Sequence, residues 1–188
     1  MRGLRLLAGA MILAAAVPAF AADDILEAIE QGRKSYQSGD MAAAKQSLDL
    51  ASQLIGQKSA EGFAALLPAP LPGWKAEQAQ TTSVGQIGFG ASVASRLYNN
   101  DKGDNVEVQI TGDSAMVAQI ATFLNNPALA GAMGKLVRVG SQRGIQDNDG
   151  NIKMIVANKF MISVEGSADA ASKLAYAQAI DVAKLTKL

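Results

Sequence analysis

The amino-acid sequence predicts an α+β protein in which a helical hairpin precedes an antiparallel sheet. Three observations predict this class. Apolar residues between positions 23 and 67 recur at three- and four-residue steps, which is typical of amphipathic helices. Prolines alternate at positions 68, 70 and 72 and cannot continue a helix. Beyond Trp74 apolar and polar residues alternate, which is typical of half-buried strands. We expect two helices to pack on one face of the sheet.

Residues 1–21 are predicted to be a secretory signal peptide. Arg2 and Arg5 give a basic start, Leu6–Val17 is an unbroken apolar run, and Ala19–Ala21 matches the small-residue pattern of a cleavage site. No later segment reaches the roughly 18 apolar residues that a membrane span needs. We therefore expect a periplasmic or secreted protein with no stable membrane insertion after cleavage.

The composition excludes most catalytic chemistry. The chain contains no histidine and no cysteine, so neither a Ser-His-Asp triad nor a thiol nucleophile nor a Cys/His zinc site can be built. Loss of Arg2 and Arg5 with the signal peptide would leave 15 of the 17 basic residues against 17 acidic ones, which gives no field for gathering nucleic acid. We expect a non-enzymatic protein without a cofactor and without a nucleic-acid partner.

The hairpin is predicted to span residues 22–67. Ile25, Ile29 and Tyr36 share one face of a first helix, and Ser38-Gly39-Asp40 ends it. We expect a second helix to pack back on the first through apolar residues at three- and four-residue steps. These residues are Met41, Ala44, Leu48, Ala51 and Ile55.

This hairpin resembles one unit of the tetratricopeptide family. The small-residue and packing spacing of the family is kept at Gly32, Ala44, Leu48 and Ala51, and Gly39-Asp40 lies at the turn. The sequence departs from the family at Tyr36, which comes one residue late, and at Ala28, which replaces the early tryptophan; the closing proline is absent. Such repeats bury their faces by stacking about three units. Because one copy is present, we favour a helical hairpin appended to another domain.

A proline-rich strap is predicted at residues 68–73, followed by Trp74, the single tryptophan of the chain. Two interpretations of Trp74 are open: a stacking platform for a ligand, or a ring that fills the core at the end of the strap. The segment LLPAPLPGW, together with the strand Ala94–Tyr98, resembles a group of uncharacterised secreted bacterial proteins, and this resemblance implies fold and export but no chemistry. We expect the strap to hold the hairpin against the sheet domain.

The sheet domain is predicted to span residues 74–188. Its predicted strands lie at 93–98, 106–111, 136–139, 142–147, 152–157 and 160–165, and its predicted helices at 114–124 and 168–180. One apolar pattern occurs twice at a constant offset of 54, as Val106, Val108, Ile110 and Gly112 and then as Phe160, Ile162, Val164 and Gly166. A duplicated ββα plan and a chance match of two alternating strands both explain it.

A glycine-rich loop follows Trp74 and contains Gly85, Gly88, Phe89 and Gly90. Its order, G-x-x-G-x-G, is the reverse of the dinucleotide-binding fingerprint, and no helix follows it. The loop therefore does not indicate a phosphate site. If the loop is functional, we expect it to act as an adaptable flap. Its residues and Trp74 are the candidate ligand-binding positions.

The segment Asp147–Asn151 resembles the opening of a calcium loop. Its glycine is fourth rather than sixth, however, and Asn158 stands where the loop requires glutamate. Asp-Gly between alternating strands is typical of a hairpin turn. Asp147 and Asp149 are therefore metal-ligand candidates only if a second acidic turn, with Asp101 and Asp104, meets them in space.

The sequence favours an exported binding or assembly module for a protein or small molecule that it does not identify. Such a module should present an open sheet face or a groove lined by exposed apolar side chains. Two alternatives stay open: a hydrolase or lyase with an oxygen-ligated metal, and a protein that adheres to membrane surfaces through its hairpin.

Overall fold

The computed structural model describes residues 20–83, 91–112, 114–124, 131 and 134–188. Its helices there are α1 (Phe20–Gln37), α2 (Met41–Ala64), α3 (Ala115–Leu124), α4 (Ala170–Gln178) and α5 (Val182–Leu185). Its strands are β1 (Trp74–Ala76), β2 (Gln80–Ser83), β3 (Ser92–Asn100), β4 (Asn105–Gly112), β5 (Lys135–Val139), β6 (Gln142–Gln146), β7 (Ile152–Val156) and β8 (Phe160–Glu165). The predicted class, α+β with an N-terminal helical hairpin and an antiparallel sheet, is confirmed.

The strands form one antiparallel sheet in the order β1-β3-β4-β8-β7-β6-β5, and β2 pairs with β3 beside β1. The centre of the sheet joins β4 to β8, with Val108 opposite Val164 and Ile110 opposite Ile162. The short strands β1 and β2 were not predicted. Their sequences, WKA and QTTS, are mostly exposed and carry no apolar alternation.

The main core lies on one face of this sheet. Val108, Ile110 and Ile162 are fully buried there, because alternate residues of a strand point to the same face. On this face α2 meets the sheet through Phe63, which packs edge-to-face on Phe160 with 5.6 Å between ring centroids. The absence of a side chain at Gly112 permits this contact, since a Cβ there would lie 2.7 Å from Phe63 Cζ.

Helices α3 and α4 contribute differently to this core. Tyr176 and Ala177 of α4 belong to the main core cluster. Val117 and Ala121 of α3 are also buried, but they lie outside that cluster, and α3 contacts β7 and β8. Helix α4 begins later than predicted because Asp169 caps it, its Oδ1 accepting a hydrogen bond from the Ser172 amide at 2.7 Å.

Two buried tyrosines hold the strap. The Tyr98 hydroxyl donates to the Pro68 carbonyl at 2.7 Å, and the Leu71 amide donates to the Tyr176 hydroxyl at 3.3 Å. Trp74 is half-buried and packs edge-to-face on Tyr176, with ring centroids 5.4 Å apart. The strap thus connects the end of the hairpin to the sheet and to α4 through hydrogen bonds as well as along the chain.

Small residues form the contact between α1 and α2. Ala28, Gly32 and Ser35 of α1 and Ala44 and Ala51 of α2 are buried. The helices approach closely at Gly32, where a Cβ would lie 2.9 Å from Leu48 Cγ. Of the residues that the sequence predicted for this contact on α2, Ala44 and Ala51 are buried, whereas Met41, Leu48 and Ile55 are about half exposed.

Candidate functional site

The exposed apolar side chains of the protein are concentrated on its helical hairpin. Seven of the nine large hydrophobic residues exposed in the described part of the chain lie on α1 and α2. They are Leu26, Ile29, Tyr36, Met41, Leu48, Leu50 and Ile55. Because small residues make the contact between the two helices, these large side chains have no full internal partner.

Five of these residues form what we name the apolar row. Ile29 and Tyr36 lie seven residues apart on α1, and Met41, Leu48 and Ile55 lie seven apart on α2. Seven residues are close to two helical turns, so each set lies on one face of its helix. The row is about 21 Å long, from fourteen residues at 1.5 Å each.

The two halves of the row border the same groove. Leu48 lies over Gly32 of α1, which brings it to the seam between the helices. At one end of the row, Ile55 of α2 and Ile25 of α1 line a common cleft. The row is therefore a continuous strip along one side of the hairpin.

That cleft is the apolar end of the site. It has a volume of about 300 Å³ and reaches Phe63 and Phe160 of the core at its base. Leu188, Lys58, Ser59 and Gly62 also line it. A cavity of this size and lining suits one or two apolar side chains of a ligand.

The charges around the row are paired within the hairpin. Arg33 Nε and Nη2 donate to the Glu30 carboxylate at 2.9 and 2.5 Å, and this hydrogen bonding holds the pKa of Glu30 below its usual range. Lys45 bonds Asp49 at 2.5 Å, four residues along α2. These pairs leave little net charge at the border, so apolar contact rather than ion pairing would select a ligand here.

Of the predicted ligand-binding residues, Trp74 is the one that the structure describes, and it lies away from this site. Trp74 contacts the core and Tyr176, and it does not line the cleft. Gly85, Gly88, Phe89 and Gly90 lie outside the described residues.

The turn that resembles the opening of a calcium loop binds the side chain of a lysine. Lys173 of α4 is 1% exposed, and its Nζ donates to the Asp149 carbonyl at 2.7 Å and to Asn151 Oδ1 at 2.8 Å. Burial opposes ionisation of Asp147, but hydrogen bonds from Asn151 and Asp149 and the charge of Lys173 together lower its pKa. Lys173 thus binds two oxygen atoms of this turn, and the Asp147 carboxylate accepts hydrogen bonds from the Asp149 and Asn151 amides.

The second acidic turn is likewise satisfied by local partners. Asp101 pairs with Lys75 at 2.8 Å, and Asp104 accepts a hydrogen bond from the Asn100 side chain at 2.9 Å. Within the described residues, no three acidic side chains come together in a group that could hold a metal ion. The coordination shell that the metal-dependent alternative requires is not formed there.

The outer face of the central strands is mostly polar. A shallow groove of about 280 Å³ on β4, β7 and β8 is lined by Glu107, Gln109, Lys153, Ser163 and Glu165, with Met161 as its apolar member. The Ser163 hydroxyl donates to Glu165 at 2.6 Å, and this bond, opposed by burial and aided by Lys153, lowers the pKa of Glu165. The apolar surface expected of a binding module is therefore on the hairpin, not here.

Comparison with models of protein families, with curated proteins and with solved structures finds no match to the chain. None of the helices in the described ranges is long and apolar enough to cross a membrane.

Proposed function

We propose that the protein is an exported, non-enzymatic assembly module whose hairpin binds an amphipathic helix of a partner protein along the apolar row. One observation carries the proposal: five large apolar side chains, between 41% and 64% exposed, form a strip on one side of the hairpin. Exposed apolar surface of this kind is typical of protein interaction sites.

The shape of the strip favours a helix as the partner. Two antiparallel helices that each present a residue every seven positions leave a groove between them, into which the apolar face of a third helix fits. The row is about 21 Å long, which matches a partner helix of about 14 residues. The cleft beside Ile55 then accepts a terminal apolar side chain of that helix.

Two features of the sequence support the rest of the proposal. The basic start, apolar run and A-x-A site of residues 1–21 support export. The lack of histidine and cysteine supports a role without catalysis, because the most common acid–base and nucleophilic groups are missing.

A matched pair of leucines on α2 provides the test. Leu48 is 50% exposed and belongs to the row, whereas Leu50 is 49% exposed and lies two residues away, about 200° around the helix. We would titrate a fluorescent synthetic amphipathic helix of about 20 residues, long enough to be helical alone, into residues 22–188. We expect Leu48→Ser to weaken binding roughly tenfold or more and Leu50→Ser to leave it unchanged.

Three other outcomes would count against this function. Equal binding by both variants would show that the row is not the site, and the absence of binding by the unchanged protein would reject the helix as its ligand. Flotation of the protein with anionic lipid vesicles, lost in Leu48→Ser alone, would assign the row to a membrane surface instead. Met41→Ser, a second substitution in the row, guards against an effect of Leu48 on hairpin packing.

A further inference from the structure

Strand β5 forms one end of the sheet. In the described part of the chain only β6 pairs with it, so the outer backbone groups of Lys135–Val139 have no strand partner among those residues. Unpaired N–H and C=O groups along an edge are a template for another extended chain.

The β5 edge is regular enough to accept a strand. Its register with β6 runs without a bulge from Lys135 opposite Gln146 to Val139 opposite Gln142. The strand contains no proline, and Leu136, its second residue, is 50% exposed. The opposite edge differs, because it is divided into the short strands β1 and β2, and α2 packs beside β2.

Basic residues line this edge, and no acidic partner for them is found in the part of the chain that the structure describes. Arg138 of β5 lies directly opposite Arg143 of β6, and both side chains are exposed. Like charges in directly opposed positions destabilise a strand pair. No ion pair among the described residues involves these arginines or Lys135. The edge therefore carries positive charge that a bound anionic group would neutralise.

We propose that β5 binds an extended acidic segment of a partner protein, which adds to the sheet as an antiparallel strand. Arg138 and Leu136 lie on one face of β5, while Lys135 and Val137 lie on the other. Residues of the added strand opposite Arg138 and Lys135 are then three positions apart, and the two residues between them face Val137 and Leu136. The segment that fits is an acid–apolar–apolar–acid sequence.

A second copy of the chain fits this edge less well. Antiparallel pairing of two β5 strands would gather two copies of Lys135 and Arg138 with no carboxylate between them, which costs free energy. Charged residues on an edge strand can also serve only to prevent pairing with other chains. If that is the role of Lys135 and Arg138, an acidic strand will not bind. The experiment below therefore separates a binding edge from a protected edge. The proposal concerns a surface separate from the apolar row and does not rest on it.

The probe is a blocked peptide of about ten residues that carries glutamates three positions apart, with valines between them. One control peptide carries lysine in place of both glutamates. A second keeps the glutamates but has N-methyl groups on the amides that would donate to β5. We expect the first peptide to bind residues 22–188 in a calorimetric titration, and both controls to bind roughly tenfold more weakly or not at all.

Charge reversal on the protein completes the test. Arg138→Glu is expected to weaken binding of the acidic peptide roughly tenfold or more. A peptide with lysine at the position opposite residue 138 is expected to bind this variant again. Lys187→Glu makes the same change of charge at an exposed residue of the C-terminal tail, and it should have little effect on peptide binding. Failure of the acidic peptide to bind, equal binding of the lysine or N-methylated peptide, or indifference to Arg138→Glu would each overturn the proposal.

Discussion

The hairpin and the sheet place large apolar residues in opposite environments, although both show clear apolar periodicity in the sequence. In the sheet, Val108 and Ile110 of β4 are fully buried. In the hairpin, Ile29, Leu48 and Ile55 are between 41% and 50% exposed. The apolar residues of the sheet pack against α2, α4 and the neighbouring strands. The apolar residues of the hairpin instead border the open groove between the helices and the cleft at its end.

The difference shows that a periodic apolar face indicates a contact but not the partner that makes it. Within the hairpin, Ala28, Gly32 and Ala44 bring the helices together, and the larger residues beside them are left for another surface. We infer that the sheet core supplies most of the stability and that the hairpin supplies the proposed binding surface. The following predictions test that division.

The largest expected effect on stability is at the contact between the two regions. Phe63 is 2% exposed and packs on Phe160 over Gly112. Phe63→Ala should lower the free energy of unfolding by about 3–5 kcal/mol, the range for removal of a buried large aromatic side chain. Ile55→Ala, two turns earlier on α2, should cost less than about 1 kcal/mol because Ile55 is 47% exposed. Urea denaturation checks both, and equal losses would contradict the contrast.

A smaller loss is expected at the buried lysine of the sheet region. Lys173→Met keeps the apolar stem but removes the donors to the Asp149 carbonyl and Asn151 Oδ1. We expect a loss of about 1–3 kcal/mol, because two acceptors lose their partner. Lys184→Met, at an exposed lysine of α5, is the control. Thermal denaturation of both variants measures the difference. A Lys173→Met protein as stable as the unchanged protein would show that the hydrogen bonds of Lys173 do not stabilise the fold.

Alkaline pH should weaken the attachment of the strap. Burial raises the pKa of Tyr98 to about 12, against the opposing influence of Arg96. Because the folded pKa lies above the ordinary value of 10, the neutral hydroxyl contributes its full stability below about pH 10, and this contribution is lost as the pH rises towards about 12. Urea denaturation as a function of pH should show that fall.

The control for this pH dependence is Tyr98→Phe. This variant should lose about 1 kcal/mol at neutral pH, because the hydrogen bond to the Pro68 carbonyl is gone. Its stability should also fall less steeply between pH 10 and 12. A variant with the same alkaline decline as the unchanged protein would place the titrating group elsewhere, with Tyr176, whose pKa burial also raises, as the next residue to replace.

The smallest stability effects are expected at the exposed leucines of α2. Leu50→Ser should change the free energy of unfolding by about 0.5 kcal/mol or less, as exposed substitutions usually do. Leu48→Ser should cost up to about 1 kcal/mol, because the half-exposed side chain lies against Gly32. Urea denaturation measures both. A loss above about 2 kcal/mol for Leu48→Ser alone would mean that the row belongs to the hairpin core.

The sequence predicted the fold where local patterns were strong. The alternation of Val106, Val108 and Ile110 predicted β4, and the Asp-Gly turn between β6 and β7 was recognised from its residues alone. Strands β1 and β2 were missed because an edge strand such as Gln80–Ser83 has no buried alternate face. Its pairing with β3 comes from the tertiary structure, not from its own residues.

The candidate site was predictable only in part. The seven-residue spacing of Met41, Leu48 and Ile55 was visible, but the sequence alone could not show that these three side chains stay about half exposed. The signal that could have shown it is the spacing of small residues on α1. Lys173 was missed for a different reason, since its partners Asp149 and Asn151 lie on another element more than twenty residues away.

The central claim is that the apolar row of the hairpin is the docking surface of this protein. Chemical-shift mapping with the synthetic amphipathic helix on isotopically labelled residues 22–188 tests it most directly. The account predicts amide shifts at Ile29, Tyr36, Leu48 and Ile55 and around the cleft at Phe63, with the sheet groove at Glu107 and Glu165 unchanged. Shifts centred on that polar groove or on the strap at Trp74, with the row unchanged, would contradict it.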